Sequence, residues 1–134
     1  YALREALRLV AEEGIENRWD RHREVAGALR SGLEGMGLEM NASEEAWLPS
    51  LNAVRLPEGV DEDAVIHSLL EDHGIEIASG LGDLDGEIFR IGCMGASATE
   101  GNVVHLLSAL GAELEEQGAD VDPAPGLTAA NDEL

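Results

Sequence analysis

The sequence predicts an α+β layer fold: a long N-terminal helix plus a small, mostly antiparallel sheet of about four strands, with helices packed on one face. Three observations predict it. Apolar residues recur three and four apart from Leu3 to Met36; short apolar runs closed by proline or glycine follow; and two further helical patterns, each with its own cap, alternate with those runs. At 134 residues the chain suits a single domain with its own core.

Leu3, Leu7 and Val10 share one helical face, and Ile15, Trp19, His22, Ala26, Leu29, Leu33 and Met36 continue four and three apart. The two sets are out of phase by one residue across Gly14, which predicts a kink or break there, and Gly37 is expected to end the helix. Six of the eight arginines lie on this segment, where they are expected to offset Glu and Asp on a solvated face. Residues 38–40 read as a short strand, 41–46 as a polar connection, and 51–56 as a second strand closed by Pro57. Asp61 is a good N-cap, Val60 and Val65 have the spacing of a hydrophobic staple, and Gly74 stops the helix that follows. Residues 75–78 and 88–91 read as the third and fourth strands, with a glycine-rich loop over 80–86 between them. Ser97 and Glu100 have capping-box spacing, with Thr99 as the alternative cap, ahead of Val103, Leu106, Leu107, Leu110 and Leu114 on one helical face. From Gly118 onward Asp, Pro, Gly and Ala lack periodicity and read as a disordered acidic tail. The expected organisation is therefore residues 1–37, 38–117 and 118–134.

Composition narrows the function classes. With 28 acidic and 8 basic residues the formal charge is −20, and every basic residue is arginine. Such a chain repels itself at low ionic strength and is relieved when salt screens it, so a salt-loving source is expected. Nucleic acids and anionic membranes need a basic footprint that is missing here, and neither is expected as a partner. No apolar run approaches the ~18 residues of a membrane span. The start at Tyr1, without a signal pattern, reads as a fragment or processed piece of a cytoplasmic protein. The single cysteine, Cys93, excludes an internal disulfide framework and a multi-cysteine zinc site, and it reads as a small packing residue.

Several constellations fail on their chemistry. Residues 81–92 are superficially similar to a calcium loop, but its first and twelfth positions would be Leu81 and Gly92, which supply no side-chain oxygen. Gly80, Gly82 and Gly86 are not a dinucleotide fingerprint, since the third glycine is one residue late and the strand-to-helix context is absent. His22, His67, His73 and His105 have no spacing that sets two ligands on one face, so no metal site is expected; His22 falls in the apolar register and reads as a satisfied core or interface histidine.

Arg90 is the only Lys or Arg beyond Leu56, and it sits inside the apolar run Ile88-Phe89-Arg90-Ile91-Gly92. In a strand, Phe89 and Ile91 face one way and Ile88, Arg90 and Gly92 the other. Two readings stand side by side: a guanidinium fork that grips a ligand carboxylate or phosphate beside a glycine, or an internal ion pair with one of the acids.

The order of motifs around Arg90 carries a resemblance. Tyr1-Ala-Leu-Arg-Glu-Ala-Leu, Glu13-Gly-Ile-Glu16 with Trp19 and His22-Arg23, Leu48-Pro49, Gly74-Ile-Glu-Ile77, Gly80-Leu-Gly82, Phe89-Arg-Ile-Gly-Cys-Met-Gly95 and Asn102-Val103 follow one another. Over roughly residues 1–115 the chain resembles the C-terminal part of class V aminotransferases of the alanine:glyoxylate and serine:pyruvate group. The resemblance implies the small domain (residues 38–117) of a fold-type I enzyme, with residues 1–37 leading in from a large domain outside the chain, which binds pyridoxal 5′-phosphate. It implies that Arg90 grips the substrate carboxylate, that the substrates are a small amino acid such as alanine or serine and a keto acid such as glyoxylate or pyruvate, and that the full-length protein is a homodimer. Ala78-Ser79 stand where the family often has another glycine, and Ser97 replaces a frequent Asn. Transamination needs a Schiff-base lysine, and the chain has none, so catalytic and cofactor-binding residues are expected outside it and the fragment alone should be inactive. Two alternatives remain: a stand-alone α+β module that binds amino acids without chemistry, and the small domain of another class V enzyme such as a cysteine desulfurase. In the latter the catalytic cysteine usually precedes the arginine, whereas Cys93 follows Arg90.

Overall fold

The computed structural model describes all of residues 1–134 and breaks the first helical pattern at Gly14 into helix α1 (Ala2–Glu13) and helix α2 (Ile15–Gly35). Gly14 has φ 84°, a backbone conformation that a residue with a Cβ rarely adopts. The break separates two kinds of helix. α1 buries none of its residues, whereas α2 buries Val25, Ala26, Ala28, Leu29, Gly32 and Leu33.

Strands β1 (Leu51–Arg55), β2 (Ala78–Ser79) and β3 (Ile88–Gly92) form an antiparallel sheet in the order β1-β3-β2. The sheet thus has three strands where about four were expected. Residues 38–40 contribute a single bridge, Met40 opposite Val54, flanked by hydrogen bonds from Arg55 N–H to the Glu39 carbonyl (2.8 Å) and Asn41 N–H to the Ala53 carbonyl (2.9 Å), before the chain bends away. Of the run 75–78 only Ala78 joins the ladder. Ile75 is committed elsewhere, its N–H donating to the Leu69 carbonyl at 2.8 Å to close the end of helix α3 (Glu62–His73), so the segment splays from β3 before pairing can begin.

The caps follow the sequence signals closely. The Asp61 side chain accepts from Ala64 N–H at 3.1 Å, and Gly74 takes the left-handed conformation at the C-cap of α3. Helix α4 (Glu100–Glu116) is capped by Thr99, which accepts from Asn102 N–H at 3.3 Å; Ser97 instead donates to the Met94 carbonyl at 2.9 Å.

Residues 118–134, expected to be a disordered tail, contain helix α5 (Pro123–Glu133). Asp122 caps it through Ala124 N–H at 3.0 Å, and Pro123 occupies the first turn, where a missing N–H costs nothing. Large apolar periodicity is absent because α5 packs by close approach. Gly126 and Ala130 are buried against α2, and a Cβ on Gly126 would strike the Met36 side chain and the Gly32 carbonyl oxygen.

One core unites the layers: Leu29 and Leu33 from α2, Val65 and Leu69 from α3, Leu107, Leu110 and Leu114 from α4, and Val54, Phe89 and Ile91 from the sheet. The buried polar Asn52 is satisfied within it, accepting from Trp47 Nε1 at 3.0 Å and donating to the Pro49 carbonyl at 3.4 Å. Helices therefore cover one face of the sheet, as predicted.

Candidate substrate-binding face

The ladder register sorts side chains into two faces. Asn52 lies opposite Ile91 and Val54 opposite Phe89, and these four are buried. Ala53, Arg90 and Ala78 form a row across the other face, all three only partly buried. Both cross-strand neighbours of Arg90 are thus alanines, which carry no more than a methyl group each. Gly92 is next along β3 on this face, with Met94 Cε 3.5 Å from where a Cβ on Gly92 would stand.

Arg90 Nε donates to the Ser79 carbonyl at 2.7 Å. None of the molecule's ion pairs involves Arg90, and its terminal nitrogens make no hydrogen bond within the chain. The internal ion pair is thus not formed. What remains is an anchored fork whose two outer nitrogens point to unfilled hydrogen bonds, the geometry that meets two oxygens of a carboxylate.

The glycine loop fixes the anchor. Gly80 follows Ser79, and a Cβ there would collide with the Leu84 carbonyl oxygen, so only glycine lets residues 80–86 fold back on themselves. The loop is closed by Leu84 N–H to Leu81 O and Asp85 N–H to Gly82 O, both 3.2 Å. Glu62 lies against this loop with its Oε1 buried and unpartnered. Burial, and then the charges of Asp85 and Asp63, push its carboxyl above the usual range, against the opposing pull of the Gly80 and Gly86 amides.

On the far side of β3 the chain is tied to α2. Cys93 N–H donates to the Ser50 carbonyl at 3.0 Å, and burial pushes the Cys93 thiol up, which suits a packing residue and not a nucleophile. His22 has both ring nitrogens engaged, Nδ1 with the Arg18 carbonyl at 2.7 Å and Nε2 with Gly95 N–H at 2.8 Å, in keeping with a satisfied histidine. Arg21 departs from the expected solvated face. Its Nη1 donates to the Gly95 and Ala98 carbonyls at 3.2 and 2.6 Å, and its Nε to Glu13 at 2.6 Å. Arg21, above all, and Arg18 hold the Glu13 carboxyl below the usual range. On an unbroken helix Glu13 and Arg21 would stand about 12 Å apart along the axis. The phase shift at Gly14 was the signal that such a pair could form, but spacing alone does not reveal it.

A second opening, a cleft of about 420 Å³, lies where residues 75–77 splay from β3, lined among others by His73, Gly92, Ser97, Asn102 and His105. No group of three or more His, Cys, Asp or Glu side chains converges as a metal-binding set anywhere in the chain.

No protein-family model matches the chain. It is 43% identical over 132 residues to the (S)-ureidoglycine–glyoxylate transaminase of Bacillus subtilis, covering 98% of this chain and 32% of that protein. It is 40% identical over 111 residues to the alanine–glyoxylate aminotransferase of Felis catus, covering 82% of this chain and 27% of that one. Among solved structures, the Bacillus subtilis ureidoglycine–glyoxylate aminotransferase superposes with a TM-score of 0.95 at 43% identity over 99% of this chain and 34% of its own. The pyridoxamine–pyruvate aminotransferase of Mesorhizobium loti gives 0.89 at 36% identity over 95% and 33%. The chain spans about a third of the length of the curated relatives it matches. By sequence and by fold, the chain is thus similar over most of its length to a part, about a third, of each of these aminotransferases.

Proposed function

We propose that in the full-length protein this chain holds the carboxylate of a small amino or keto acid during transamination, with Arg90 as the binding group. The observation that carries the reading is the guanidinium itself: anchored through Nε, free of any ion pair, and set on the open face between two alanines. The relatives support the substrate class, since those named above act on glyoxylate or pyruvate. Alanine or serine as donor and glyoxylate or pyruvate as acceptor fit a site with so little side-chain bulk around the cation.

The chemistry divides cleanly between this chain and the rest of the protein. Pyridoxal phosphate is attached through a lysine, and the 134 residues contain none, so the residues present do not fit the cofactor and no bond-making step is assigned to them. Their contribution is orientation. A carboxylate fixed at two oxygens removes rotational freedom from the substrate, so that its Cα–H bond is presented in one direction to whatever group abstracts the proton. A charge-assisted hydrogen bond of this kind is worth about 1.5–3 kcal/mol. In a chain of formal charge −20, one fixed cation also counters the repulsion that an anionic substrate meets on approach.

In the full-length enzyme, Arg90→Ala should raise KM for the amino acid tenfold or more while the cofactor's absorbance persists; unchanged kinetics would sink the assignment. The same reading has the full-length protein as a homodimer in a cytoplasm of high salt. Sedimentation should give a dimer, and its melting midpoint should rise between low and molar KCl.

A further inference from the structure

The segment that follows β3 is gripped by helix α2 in a way that the proposed function does not use. Gly95 has both backbone groups held: His22 Nε2 accepts its N–H at 2.8 Å, and Arg21 Nη1 donates to its carbonyl at 3.2 Å while also reaching the Ala98 carbonyl at 2.6 Å. Gly95 has φ 66°, so the turn it makes is one that a side chain would resist. The two gripping residues are themselves fixed. His22 Nδ1 donates to the Arg18 carbonyl, which leaves Nε2 as the acceptor and so sets the tautomer. Arg21 is braced by Glu13 at 2.6 Å across the Gly14 break, and Glu13 also pairs with Arg18 at 2.7 Å.

The grip acts on the Arg90 face. Beyond Gly92 the chain up to Gly95 is otherwise tied by Cys93 N–H to the Ser50 carbonyl and by the local bond from Ser97 Oγ to the Met94 carbonyl, neither of which reaches α2. Met94, adjacent to the gripped glycine, is about half exposed and lies beside Gly92, the next position on the Arg90 face. Ser79 anchors the guanidinium from the β2 side of β3, where pairing reaches no further than Arg90. On the β1 side the strand is paired through Gly92 and Cys93, and past that point the chain is held from α2 at Gly95.

We propose that His22 and Arg21 are positioning residues for substrate binding, acting through Gly95 to hold the end of β3, and Met94 with it, in register beside the Arg90 guanidinium. The proposal rests on Arg90 being the carboxylate-binding group. Neither residue touches substrate; their loss should loosen the binding geometry without altering the chemistry that follows.

The test uses the full-length holoenzyme and four variants. His22→Ala should raise KM for the amino acid about threefold to tenfold, the range that one neutral hydrogen bond is worth, with kcat within about twofold of the parent. His22→Gln, whose amide oxygen can accept from Gly95 N–H in place of Nε2, should restore most of that loss. Arg21→Lys keeps the charge but loses the guanidinium that bonds Glu13 through Nε while Nη1 reaches the two carbonyls, and should raise KM in the same manner; it stands in if His22→Ala does not fold. Arg90→Ala is the control. If Arg90→Ala raises KM while His22→Ala and Arg21→Lys leave it unchanged, the positioning role is overturned and the function stands. If His22→Ala lowers kcat and cofactor absorbance together and His22→Gln does not rescue, the histidine is merely structural and the proposal also fails. If Arg90→Ala itself changes nothing, the functional reading falls first.

Discussion

The two faces of one short sheet carry opposite burdens. On the covered face Val54, Phe89 and Ile91 are buried in the core, and on the open face Ala53, Arg90 and Ala78 stand partly exposed with the guanidinium unpaired. Strand β3 contributes to both, because its side chains alternate, so neighbours in sequence are separated in purpose. The difference teaches where substitutions should be felt. A change at an odd position of the pair Phe89 and Arg90 should cost stability, and one at the even position should cost binding.

Phe89→Ala gives the largest expected effect. Phe89 has no exposed surface, and removing such a ring costs about 3–5 kcal/mol, to be read as a lower denaturation midpoint of the full-length protein. A midpoint that does not move would break the comparison. Next is Gly126→Ala in the α2–α5 seam, where the added Cβ meets Met36 and the Gly32 carbonyl; overpacking of this kind should cost about 1–3 kcal/mol. If instead the variant is neutral, α5 is not seated as described. Arg90→Ala follows, with KM raised tenfold or more and the melting midpoint unchanged within a degree or two, since the side chain makes one hydrogen bond and no ion pair. A large loss of stability there would erase the division between the faces.

The smallest effect concerns Glu62, and its sign follows from linkage. Its carboxyl is raised in the folded state, so the fold holds that proton more tightly than the unfolded chain does. Stability then falls as pH rises from the ordinary carboxylate range to the raised folded value, and the cost is fully present above it. Glu62→Gln should therefore raise the melting midpoint at neutral pH by about 1–2 °C and flatten the fall with pH. A lower midpoint would mean that the carboxylate is satisfied by the Gly80 and Gly86 amides after all.

How much of this was legible in the sequence varies with the physics involved. The break at Gly14, the cap at Asp61 and the open side of β3 were readable because each is set by local spacing: a phase shift, an N-cap side chain, and period-two alternation. The third expected strand, 75–78, is shorter than the apolar run suggests because pairing is decided by what else the backbone bonds to, and Ile75 is claimed by α3; the first, 38–40, is reduced to the Met40–Val54 bridge. Helix α5 was misread as a tail because small residues packed by close approach leave no large apolar stripe. Arg90 was found because a lone cation in an apolar run is a sequence-level anomaly. Arg21 was missed for the converse reason, being one of six arginines on an acidic helix whose special partner lies 74 residues away.

The central claim is that Arg90 recognises a carboxylate, and the most direct measurement compares alanine with alaninamide as ligands of the full-length enzyme, in the parent protein and in Arg90→Ala. The account predicts that the parent prefers alanine by about tenfold or more, as a charge-assisted pair requires, and that Arg90→Ala loses that preference. An Arg90→Ala enzyme that still prefers the carboxylate to the amide by the same factor would contradict it.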